Sequence, residues 1–196
     1  MKNLKLLQPN KLILIGASTG GPSDIKKILK SIPHNFYSPI IIAQHMGNEF
    51  ISSFALHMNA NTHLDVKVPN NNEVLKSKTV YIVSKNCRVL RQANNLLFQI
   101  TINKKNIFNP NINELFTSCA HFSNYVAILA CILTGIGDDG SKGIASLCKT
   151  DATCVAANKS SSVVHGMPQR ASEVSKDVQV LSIDDIINTI HQFGEE

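Results

Sequence analysis

A short apolar run that halts at a glycine-bracketed serine constrains this chain more than any other stretch: Lys11-Leu12-Ile13-Leu14-Ile15-Gly16-Ala17-Ser18-Thr19-Gly20-Gly21. Leu12 through Ile15 are too few for a helix and are strand formers, so they predict a buried strand entering a tight turn. Pro22 then fits the first turn of a helix. Gly16-Ala17-Ser18-Thr19-Gly20 matches G-x-S-x-G, in which glycines let the backbone bend sharply and let other groups approach the serine closely. A hydroxyl there stands above the carboxyl end of the strand. The next helix aims unpaired N–H groups and its positive dipole end at the place where an oxyanion would develop. Ser18 is therefore the candidate nucleophile, against the simpler reading of a turn whose small residues serve packing.

The 196 residues suffice for one good-sized core, and a single globular unit from Lys11 onward, residues 11–196, is expected after a ten-residue N-terminal extension. Hydrophobic residues at 43% and charged residues at 17% exclude a disordered chain. The longest apolar run, residues 126–133, is too short to cross a membrane, and Gln8-Pro9-Asn10-Lys11 breaks the opening leucines before a signal-peptide core forms. A cytoplasmic protein without membrane insertion is expected. Cys87, Cys119, Cys131, Cys148 and Cys154 are odd in number and contain no C-x-x-C, which suits reduced core residues. Neither they nor the seven histidines form a paired ligand motif, so no metal is expected. The net charge of +5 is spread over scattered lysines with 6% aromatics, which argues against nucleic acid and for mild attraction to acidic partners.

Periodicity predicts helices over 23–31, 50–58, 112–122, 141–149 and 168–174, and a last one capped by Asp184 and reaching about Phe193. Strands are predicted over 39–43, 65–68, 126–133, 153–157 and 178–183. Three further β pieces, 79–83, 88–90 and 96–102, suggest an antiparallel hairpin set. This alternation implies an α/β fold with a doubly wound, mostly parallel sheet carrying an antiparallel hairpin extension. Sites in such sheets form beyond the strand carboxyl ends.

Three of those ends carry useful chemistry: Ser18, His45, and the loop Thr134-Gly135-Ile136-Gly137-Asp138-Asp139-Gly140. Serine, histidine and aspartate supply nucleophile, general base and orienting carboxylate. Their order along the chain argues against an α/β-hydrolase, where His comes last. Of the other histidines only His165 remains open as the base. Gly135 through Gly140 also matches G-x-G-x-x-G, but the next strand ends in Asn158-Lys159 rather than an acidic residue, and two aspartates in the loop would repel a pyrophosphate. No Gly-Lys-Ser/Thr follows either glycine turn, which excludes a Walker A loop.

These blocks resemble the catalytic domain of the chemotaxis protein-glutamate methylesterase family, CheB. The likeness rests on residues 15–21, Gln44-His45-Met46, residues 133–140 and Val163-Val164-His165-Gly166-Met167-Pro168, in the family's order and approximate spacing. It implies Ser18 as nucleophile, His45 as base, Asp139 rather than Asp138 as orienting acid, and the backbone N–H of Ile136, where the family usually has Met, in the oxyanion hole. The implied activity is hydrolysis of glutamyl methyl esters on the methylated cytoplasmic helices of chemoreceptors, with deamidation of receptor glutamines beside it and no cofactor. Asn109-Pro110-Asn111 and Asn158-Lys159 depart from the family pattern of Arg-Pro-Ser and acidic residues. Asn109, Asn111 and Lys159 are candidate polar replacements on a surface where the family docks its receiver domain, and no internal receiver domain is expected here. The alternative is a catalytically silent α/β module that binds a nucleotide or phosphate-bearing ligand at its glycine turns.

Overall fold

The structure, a computed structural model, describes residues 9–101 and 109–195. Residues 1–8 of the N-terminal extension and the end of the predicted strand 96–102, at Ile102, lie outside the described residues. In chain order the elements are β1 (Lys11–Ala17), α1 (Gly21–Ser31), β2 (Ile40–Gln44), α2 (Asn48–Asn59), β3 (Asp65–Lys67), β4 (Thr79–Val83), β5 (Cys87–Gln92), β6 (Asn95–Ile100), α3 (Ile112–Ala120), β7 (Ala127–Ile132), α4 (Ser141–Leu147), β8 (Thr153–Ala157), α5 (Gly166–Val174), β9 (Gln179–Leu181) and α6 (Ile183–Gly194).

Seven strands form one parallel sheet in the order β3-β4-β2-β1-β7-β8-β9, and β5 and β6 form a separate antiparallel pair. The expected architecture is observed with one reassignment. The piece 79–83 is not part of the hairpin set but pairs in parallel with both β2 and β3. All five of its residues are buried, as suits a strand covered on both faces. The last helix is capped by the Ser182 side chain, which accepts from the Asp185 N–H, and not by Asp184.

Strand alternation divides the core. Leu12 and Leu14 of β1 face one layer with Ile112, Phe116, Ile144 and Met167 from α3, α4 and α5. Ile13 and Ile15 face the other with Ile25, Ile51 and Ile186 from α1, α2 and α6. Cys87, Cys119, Cys131 and Cys154 are buried free thiols within these layers, and burial pushes all four up from the ordinary thiol range. Cys148 is only half-buried. β1 is central, with β2 on one side and β7 on the other, so the crevice at the carboxyl ends of β2, β1 and β7 is the switch point of the sheet.

Asp24, in the first turn of α1, carries a local cost of this packing. Burial pushes its carboxyl up to about 6, and Lys27 draws it only part of the way back. Its Oδ2 is buried without a hydrogen-bond partner among the described residues. The native state thus binds the Asp24 proton more tightly than the unfolded chain, so the contribution of Asp24 to stability is full below about pH 4 and is lost as pH rises through about 6. Asp24→Asn is expected to raise the melting temperature at pH 8 by about 2 °C, a value kept small by partial solvent screening, and to leave it unchanged at pH 4. Melting curves of both proteins across that range check the sign.

Candidate active site

Each sequence-predicted side chain sits just past the end of a different strand. Ser18 follows β1, His45 follows β2, and the loop bearing Asp139 follows β7. Because β2, β1 and β7 are neighbours in register, with Ala17 opposite Gln44 and Gly16 opposite Ile132, the three ends meet at one level. The ladder continues briefly past the strands: His45 N–H donates to Ala17 O at 2.9 Å and Ser18 N–H to Thr134 O at 2.9 Å.

His45 Nε2 lies 2.8 Å from Asp139 Oδ2, with the histidine side chain 15% exposed and the aspartate fully buried. A carboxylate only accepts, so the ring nitrogen is the donor. Asp139 Oδ2 also accepts from the Ile112 N–H at 2.9 Å, and Oδ1 accepts from the N–H groups of Asn113 and Gly140, each at 3.0 Å. Two of these donors are the first amides of α3, whose positive end favours an anion there. The Asn111 side chain caps that helix by accepting from the Glu114 N–H at 2.7 Å. Asn111 therefore has a structural role beneath the site, and the spacing Asn111-x-x-Glu114 was the sequence signal that could have revealed it.

Asp138 is exposed, and its backbone carbonyl accepts from the Ser141 N–H of α4 at 3.1 Å. His165 stands at the start of α5 with Nδ1 3.4 Å from Ser162 Oγ. Of the two histidines left open by sequence, His45 is the one joined to the loop carboxylate.

The turn around Ser18 is tightly built. Gly20 has φ 88°, and a Cβ there would come 2.7 Å from the Cβ of Val163. A Cβ on Gly135 would lie 2.7 Å from the Cβ of Ser18, so this loop passes directly against the serine. Buried Thr134 ties the two together, donating from Oγ1 to Thr19 O at 2.8 Å and accepting from the Val164 N–H at 2.9 Å. The Thr19 N–H on the first of these turns and the Ile136 N–H on the second meet no acceptor among the described residues. Ile136 is 62% exposed.

The same bonds weigh against the phosphate-binding alternative. In the Gly135–Gly140 loop and the helix after it, the N–H groups of Gly140, Ser141 and Gly143 are already taken by Asp139, Asp138 and Asn113. Those three amides are therefore not available to cradle a phosphate. Among the described residues, no cluster of three or more metal-ligating side chains occurs.

Residues 13–190 match the CheB methylesterase family. A protein-glutamate methylesterase/protein-glutamine glutaminase of a group 3 operon in Rhizobium meliloti is 38% identical over 182 residues, 93% of this chain and 51% of its own length. One from Saccharophagus degradans is 32% identical over 177 residues, covering 90% and 48%. The chain thus spans about half the length of the curated relatives it matches. In three dimensions it is similar to the catalytic domain of the Thermotoga maritima CheB methylesterase, with a TM-score of 0.86, 30% identity, and coverage of 93% of this chain and 97% of that one. With the sequence blocks and the whole sheet in agreement, the chain belongs to the CheB methylesterase family.

Proposed function

We propose that residues 11–196 form a serine esterase unit that hydrolyses glutamyl methyl esters on the cytoplasmic helices of chemoreceptors. The relatives' names pair this activity with glutamine deamidation, and the same acyl chemistry extends to that reaction. The observation that carries the reading is the 2.8 Å His45–Asp139 bond, made by a buried, four-times hydrogen-bonded carboxylate beside the Ser18 turn.

Ser18 Oγ attacks the ester carbonyl as His45 takes the hydroxyl proton on Nδ1, the ring nitrogen turned away from Asp139. Asp139 holds the ring orientation and stabilises the imidazolium that forms. The backbone N–H groups of Ile136 and Thr19 meet the tetrahedral oxyanion. His45 returns the proton to the departing methanol, and a water molecule activated by His45 then releases the glutamate carboxylate. Protein groups and water suffice for each step.

A cytoplasmic site of action follows from that substrate. Among the described residues no helix is long and apolar enough to cross a membrane. Incubation with membranes that contain methylated chemoreceptors is expected to release methanol, and Ser18→Ala is expected not to. Failure of the unaltered protein to release methanol, with nucleotide binding in its place, would return the reading to a silent binding module.

A further inference from the structure

Gln44 is 1% exposed, lies at the last residue of β2, and has no part in the chemistry described above. Its side chain nevertheless touches both reacting residues. Nε2 donates to Ser18 O at 2.9 Å and to His45 O at 2.9 Å, one amide hydrogen to each. The last backbone bond between β1 and β2 is His45 N–H to Ala17 O, and past it no ladder bond fixes one strand end against the other among the described residues. The amide bridges the strands just where that ladder ends.

The arrangement carries a cost that simple packing would not require. Once Nε2 faces the two carbonyls, Oε1 is buried with no hydrogen-bond partner among the described residues. It is pressed toward Gly21, where any Cβ would collide with it. A leucine or methionine of similar volume would fill the space without burying Oε1, but would withdraw the donor from His45 O and one of the two donors from Ser18 O. The benefit of a glutamine is the pair of donors.

We propose that Gln44 is a positioning residue that holds the backbones of the nucleophile and the base at a fixed separation. It acts through Ser18 and His45, and this inference rests on their roles as proposed above. Small losses of placement at a reacting centre have large kinetic effects, and a displacement of about 1 Å is worth about 10²-fold.

The test uses Gln44→Met and Gln44→Glu, neither of which donates as the amide does. Each is titrated with a fluorophosphonate to count reactive serines, and methanol release is expressed per titrated serine. The expected result is a kcat per serine lower by about 10- to 10²-fold with KM unchanged. A residue that served stability alone would lower the melting temperature and the number of titratable serines but leave the rate of each intact serine unchanged, and that result would overturn the proposal. Should neither variant fold, hydrogen exchange of the Gln44 side-chain amide in the unaltered protein decides: slow exchange that changes on acylation of Ser18 supports the clamp, and free exchange refutes it. An unaltered protein that resists the fluorophosphonate would instead overturn the proposed triad, and with it this inference.

Discussion

Ser18→Ala and His45→Ala are each expected to lower methylesterase kcat/KM by about 10⁴-fold or more, with the double variant little worse than either single one. The non-additivity follows from a shared step, because a base without a nucleophile, or the reverse, has no proton to move. The fold should survive both changes. Ser18 is tied into the structure through its backbone: its N–H donates to Thr134 O, and its carbonyl accepts from Gln44 Nε2 and the Gly21 N–H. Alanine keeps all three. His45→Ala leaves Asp139 with three backbone donors, so the carboxylate is not stranded. Methanol release and thermal melting on the same preparations check both halves of the expectation. Turnover by His45→Ala within about tenfold of the unaltered protein would remove His45 as the base.

Asp139→Asn is expected to cost about 10⁴-fold in kcat, by analogy with the corresponding change in a serine-protease triad. The bonding explains why an isosteric amide cannot substitute. Both carboxylate oxygens already meet two donors each, His45 Nε2 and the Ile112 N–H on Oδ2, the Asn113 and Gly140 N–H groups on Oδ1. An asparagine NH2 on either side faces donors with a donor. Turned toward His45, it also pushes the ring toward the wrong tautomer; turned toward α3 and Gly140, it leaves buried amides unpaired at about 1–3 kcal/mol. A lower melting temperature should therefore accompany the lost rate. Asp138→Asn, on an exposed side chain whose carbonyl contact to Ser141 is retained, is expected to stay within about twofold. If the two aspartates exchanged these effects, the assignment of the orienting acid would be wrong.

Much of this was legible in the chain itself. The run Leu12 to Ile15, the glycine turn around Ser18, and the placement of His45 and Asp139 just past apolar strands are local patterns, each reporting how one segment is buried. Resemblance, not local pattern, separates Asp139 from Asp138; the structure buries the first and exposes the second. Local pattern does not say which segment lies beside which. The adjacency of β2, β1 and β7, which brings three distant ends together, is decided by crossovers and packing across the whole sheet.

For the same reason Thr79–Val83 was grouped with its sequence neighbours although it belongs to the parallel sheet; its burial on both faces was the local signal of a central strand. The two donors that α3 supplies to Asp139, and the Gln44 amide that spans Ser18 and His45, are long-range contacts between a side chain and backbone. Such contacts leave no periodicity in the sequence, because any backbone amide or carbonyl serves whatever residue carries it. The sequence by itself determined which groups are candidates to react, and only the tertiary structure decided which backbone and side-chain contacts hold them.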